Sequence, residues 1–142
     1  MPYLTIRNSI RTFLTAQIPA AINTITPAIS NELIFDNNVQ QDYRGDRVLI
    51  YVEIDIVSLD PIGQGVHQRK KYNGTISIVV SNDIGAGEDN VIKITDAILP
   101  KIGNNIQNSG ITYMNEQYGE TNRANGKFSM TITTDYFTEA LL

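Results

Sequence analysis

The longest run of strand-like patterning lies between Arg47 and Asn82, and it limits the fold more than any other stretch. In its first arm, Arg47 to Ser58, the residues Val48, Ile50, Val52, Ile54 and Ile56 fall on one side, and Leu49, Tyr51, Glu53, Asp55 and Val57 on the other. That is the alternation a strand imposes. The second arm, Tyr72 to Ser81, sets Tyr72, Gly74, Ile76, Ile78 and Val80 against Asn73, Thr75, Ser77 and Ser81, with Val79 interrupting the polar side. Between the arms runs a Gly-containing, basic tip from Asp60 to Lys71. The pattern predicts a long antiparallel hairpin with one dry face and one largely wet face.

Everything else arranges itself around that hairpin. From Leu4 to Ile18 the residues Ile6, Ile10, Phe13, Leu14 and Ile18 recur at helical spacing, which predicts an amphipathic helix ending before Pro19. Ala20 to Asn31 shows no period and reads as a connector; Glu32 to Asp36 reads as a short strand, followed by a polar loop to Asp46. After the hairpin, Asn82 to Asp89 forms a strand-to-helix turn that puts Glu88 and Asp89 in the helix's first turn, where carboxylates complement the free N–H groups. Val91, Ile94, Ile98 and Ile102 make the second helical stripe, kinked or ended by Pro100 and stopped at the latest by Gly103. Asn104 to Gly110 reads as a polar turn, Ile111 to Tyr118 and Lys127 to Phe137 as strands, and Gly119 to Gly126 as the turn between them. The expected order is α-β-β-β-α-β-β. It favours an α+β fold in one domain, 1–142: a single antiparallel sheet of four to five strands with two helices packed on one face.

A chain of 142 residues can bury a sizeable core as one domain. With no cysteine, disulfide and thiol chemistry are excluded, and a formal net charge of -4 argues against general affinity for DNA or anionic membranes. No apolar run approaches the roughly 18 to 20 residues of a transmembrane span. Arg7 and Arg11 interrupt what would be a signal peptide's apolar core, so the start reads as mature sequence.

Few constellations carry chemistry. Gly85-Ala86-Gly87 sits between a strand and a helix, but Asn90 stands at the third glycine position of a dinucleotide fingerprint, and Glu88 and Asp89 would repel a pyrophosphate. His67 is the one histidine and has no cysteine to share a metal with; Asp83, Glu88 and Asp89 lack the spacing of a calcium loop. Glu53 and Asp55 are a carboxylate pair on one strand face, for which a solvated surface is the plainer account. No cofactor, metal or catalytic set is expected, and the chain is not expected to be an enzyme. The sharpest local feature is the hairpin tip: Gly63, Gly65, His67, Gln68, Arg69, Lys70 and Lys71. Its basic residues either protect the hairpin against edge-to-edge aggregation or dock onto an acidic partner surface.

Taken together, the strand Val48 to Val57, the Gly-containing tip, Arg69 to Gly74 leading into Thr75-Ile76-Ser77-Ile78-Val79-Val80, Gly85-Ala86-Gly87 before the helix Val91 to Ile98, Gly110-Ile111-Thr112, and Gly126-Lys127-Phe128 with a strand ending at Asp135-Tyr136-Phe137 carry a likeness. In this order of elements the chain resembles the tail-terminator, or tail-completion, proteins of long-tailed bacteriophages. Pro100 and the connector from Pro19 to Asn31 depart from the pattern. The resemblance implies an α+β virion subunit, assembled in the host cytoplasm, that closes into a homo-oligomeric ring, usually a hexamer, on the head-proximal end of the tail. Its implied partners are the tail tube protein and the head-completion or neck proteins, with DNA passing through the lumen without specific binding. The tip from Gly63 to Lys71 would contact the tube or the adjacent subunit. Alternatives are another head–tail connector or tail component, a small hydrolase or nucleotide-binding enzyme, and a monomeric ligand-binding module.

Overall fold

The computed structural model describes residues 2–35, 47–62, 69–83, 85 and 88–141. Its elements are α1 (Tyr3–Ile22), β1 (Asn31–Phe35), β2 (Val48–Ile62), β3 (Arg69–Asp83), α2 (Glu88–Ile98), a 3₁₀ turn (Leu99–Lys101), β4 (Ile106–Asn108), β5 (Ile111–Ala124) and β6 (Lys127–Leu141). All six strands join one sheet in the order β1-β2-β3-β6-β5-β4. The expected α+β class with two helices holds. The sheet differs from the expectation of four to five antiparallel strands in two ways: β4 is an additional strand, and β1 pairs with β2 in parallel, Asn31 opposite Val48 and Phe35 opposite Val52.

The core lies on one face. Ile6, Ile10, Phe13, Leu14 and Ile18 of α1 and Val91, Ile94 and Ile98 of α2 join Val48, Ile50, Val52, Ile76, Ile78, Val80, Ile132 and Tyr136 of the sheet in a single buried cluster. Burying each such aliphatic side chain is worth about 1.5–3 kcal/mol, which is why both stripes close onto the same sheet face. Phe13 stacks on Tyr113 with ring centroids 4.2 Å apart, fixing α1 against β5.

Helix α1 runs past Pro19 to Ile22 rather than stopping before it. Proline interrupts the backbone bonding of a helix interior, but Ala21 and Ile22 beyond it are buried in the core, and that burial offsets the local cost. Pro100 behaves as expected, converting the end of α2 into the 3₁₀ turn. The buried Thr134 hydroxyl of β6 lies 2.9 Å from the Ile102 carbonyl and 3.0 Å from the Met114 carbonyl, so it ties the end of that turn to β5.

The stretch expected to be a polar turn, Asn104 to Gly110, contains β4 because two left-handed pairs fold the chain back. Asn104 and Asn105 have φ of 59° and 60°, and Ser109 and Gly110 have φ of 52° and 78°. Asn residues tolerate this region through local side-chain bonding, and the Asn104 N–H is further held by the Glu116 carboxylate at 2.7 Å. Ile106 thereby lies opposite Tyr113. The turn between the last two strands is also shorter than expected. Strand β5 continues to Ala124, and Asn125 and Gly126, with φ of 55° and 75°, make the two-residue reversal that suits strand twist.

Candidate assembly surface

The ladder between β2 and β3 reaches further toward the tip than the arms read from sequence. Asp60 pairs with Lys71, Pro61 with Lys70 and Ile62 with Arg69, and β6 continues the same rows through Glu139, Ala140 and Leu141. Arg69, Lys70 and Lys71 are therefore held on a strand between two others. Gly63, Gly65, His67 and Gln68 lie outside the described residues. The alternation of β3 places Arg69 and Lys71 on the face away from the helices and Lys70 on the opposite face. Lys71 lies over the Phe137 ring, its ammonium 4.4 Å from the centroid.

Val57 is an extra residue in β2: Ile56 pairs with Gly74 and Ser58 with Asn73, leaving Val57 between them as a bulge. Beyond it the dry face ends. Ile56, Val57 and Leu59 are 43%, 70% and 40% exposed, an apolar edge on a strand whose neighbour β1 covers only Val48 to Val52. Asp60 stiffens this end by accepting from Ser58 at 3.1 Å and from Asn73 at 2.9 Å. A second open edge lies diagonally opposite. Strand β4 pairs only with Ile111 to Tyr113, so the outer edge of β5 from Met114 to Ala124 has no strand beside it among the described residues, and it is bent by two register shifts.

The outer face carries hydroxyls in rows: Ser77 opposite Thr133, and Ser81 opposite Ser129 with their hydroxyls 3.1 Å apart. Near the bulge this surface is acidic. Glu53 and Asp55 are exposed there as the carboxylate pair read from sequence, and Asp55, Thr75 and Asp135 form one row across β2, β3 and β6. Asp135 accepts from the Thr75 hydroxyl at 3.2 Å and from the Asn115 amide at 3.2 Å. It lines a groove of about 260 Å³ together with Thr75, Asn115 and the apolar Val57, Met114 and Phe137, among others. This groove was not read from sequence, since its members come from four strands; the adjacent apolar Ile56 and Val57, which break the alternation, were its one local sign.

Elsewhere, polar groups serve the fold. Glu88, at the start of α2, is held below the usual carboxylate range by its hydrogen bonds to Arg123, at 3.1 and 3.2 Å, so the acidic first turn is occupied from within the chain. Tyr118 donates to Asp96, and that bond raises its phenol. Burial pushes the Tyr113 phenol well above its ordinary value. Among the described residues, no group of three His, Cys, Asp or Glu side chains could hold a metal ion, and no helix is long and apolar enough to cross a membrane.

No family model matches the chain, and no curated protein matches it. Its fold is shared with solved structures. One, whose designation names no activity, is 17% identical with a TM-score of 0.58, covering 93% of this chain and 94% of that one. A weaker likeness, to a chain from the virion of a native gene transfer agent particle, has 11% identity and a TM-score of 0.44 over 89% of this chain and 95% of that one, below what a shared fold requires.

Proposed function

We propose that the chain is a structural subunit of a phage-type particle: it closes into a ring on the finished, head-proximal end of a tail tube, ends tube growth and offers a docking surface to head-completion proteins. It makes and breaks no bonds. The observation that carries this reading is the pair of unlike edges that are open among the described residues: that of β2 beyond Val52, where Ile56, Val57 and Leu59 are exposed, and the polar edge of β5 beyond Tyr113. Two different surfaces on one subunit suit head-to-tail contacts, which close into rings when the rotation allows. Exposed strand edges otherwise invite uncontrolled pairing, and a ring buries them between neighbours. The order of elements, which resembles that of tail-terminator proteins, supports the same reading. The net charge of -4 per copy would give a ring that lets DNA pass without adhering.

The test is to measure the particle mass by light scattering, alone and with uncapped tail tubes, and to follow tube length by electron microscopy. A ring that binds one tube end and halts elongation is expected. Reversing Arg69, Lys70 and Lys71 to Glu should abolish assembly while circular dichroism stays unchanged. A chain that remains monomeric and leaves tube growth unaltered overturns the proposal.

A further inference from the structure

The Asp135 groove has the character of a receptor for a cation supplied from outside the subunit. A carboxylate accepts about four hydrogen bonds. Thr75 and Asn115 provide two, and both also fix its orientation. No Lys or Arg among the described residues pairs with it. The nearest outer-face cation on its neighbouring strand, Lys71, is held over Phe137. The apolar walls suit a flat, weakly hydrated guanidinium better than a compact ammonium, because guanidinium packs against side chains while its fork meets a carboxylate.

The same subunit carries such a group. Arg69 is exposed on the same sheet face and has no ion pair among the described residues. It cannot reach its own groove: Arg69 pairs with Leu141 and Thr75 with Asp135, six residues apart, which is about 20 Å along a strand. The complementary charges are therefore separated within one copy and available between copies. Resting on the ring reading above, we infer that the hairpin end of one subunit inserts Arg69 into the Asp135 groove of the next, so that the occupant of the groove is a second copy of this chain. The contact joins two different patches, as a head-to-tail ring requires.

A charge swap tests this in the full-length chain, with particle mass as the readout at low and high salt. Asp135→Arg and Arg69→Asp should each weaken self-association by at least about tenfold, and the double variant should recover it, since close charge pairs at interfaces couple by that much or more. Asp135→Asn keeps the local hydrogen bonding and should weaken assembly with the fold intact, checked by circular dichroism. Lys70→Glu, on the other face, should leave the pairing unaffected. If the wild type forms rings and neither single variant disturbs them, the contact is wrong and the ring stands. If Asp135→Arg disrupts rings but Arg69→Asp does not, or the double variant fails to recover, Arg69 is not the occupant, and a basic group of another partner takes its place. If the wild type forms no ring, alone or on tubes, the ring reading fails, and this contact with it.

Discussion

Gly74 on β3 and Tyr136 on β6 are register partners, and the tyrosine ring lies across the glycine so closely that a methyl group there would collide with the ring and with the Asp55 carbonyl. The phenol hydroxyl crosses β3 to donate to that carbonyl at 2.9 Å, and it lies 3.2 Å from the Tyr3 hydroxyl of α1. One side chain thus clamps β2, β3, β6 and the first helix just before the bulge. Gly74→Ala should destabilise the fold by about 1–3 kcal/mol, the usual cost of overpacking a dense site. Equilibrium urea unfolding measures it, and an unchanged midpoint would show that the ring can move aside at no cost.

Tyr113 lies at the centre of the core with its hydroxyl unpartnered, the ring stacked on Phe13. A buried polar atom without a partner carries its full desolvation penalty, so Tyr113→Phe should stabilise the protein by about 1 kcal/mol. Loss of stability in the same denaturation experiment would mean that the hydroxyl is satisfied, for instance by buried water.

Alkaline pH should unfold the protein through these two tyrosines. Burial raises Tyr113, and Tyr136 is raised by burial first and then by its bond to Tyr3. In the unfolded chain both phenols ionise near pH 10 (about the reference value), while the folded chain keeps the protons. Above that pH the unfolded state binds fewer protons, so stability is fully present below about pH 10 and falls as pH rises. Thermal melts between pH 8 and 11 should show this decline, and Tyr113→Phe should make it shallower. A slope identical in that variant would remove Tyr113 from the account.

The β5–β6 reversal depends on backbone conformation alone at Gly126, where φ is 75° and nothing crowds the position. Gly126→Ala should cost about 1 kcal/mol through strain in the left-handed region, with no packing contribution. If hydrogen exchange in β5 and β6 is unaltered, the turn tolerates the side chain.

Periodicity made the hairpin, both helical stripes and the last strand legible, because each buries one face and exposes the other. What escaped lacks that contrast. Ile106, Gln107 and Asn108 are too few to show a period, and β5 beyond Tyr118 is exposed on both faces, so Gly119 to Ala124 read as a turn. The parallel direction of β1 is set by where the chain re-enters the sheet, which no local pattern encodes. Of the assembly surface, Arg69, Lys70 and Lys71 were found as a charge cluster. The groove around Asp135 was not, since Val57, Thr75, Asn115 and Asp135 converge only through pairing across four strands.

The two borders of the sheet that are uncovered among the described residues differ in chemistry and lie at opposite corners. If copies join border to border through them, as proposed above, they must all point the same way around the axis, and the annulus they would form has distinguishable top and bottom surfaces. Such a body can recognise one object beneath it and a different one above without any change in its own conformation.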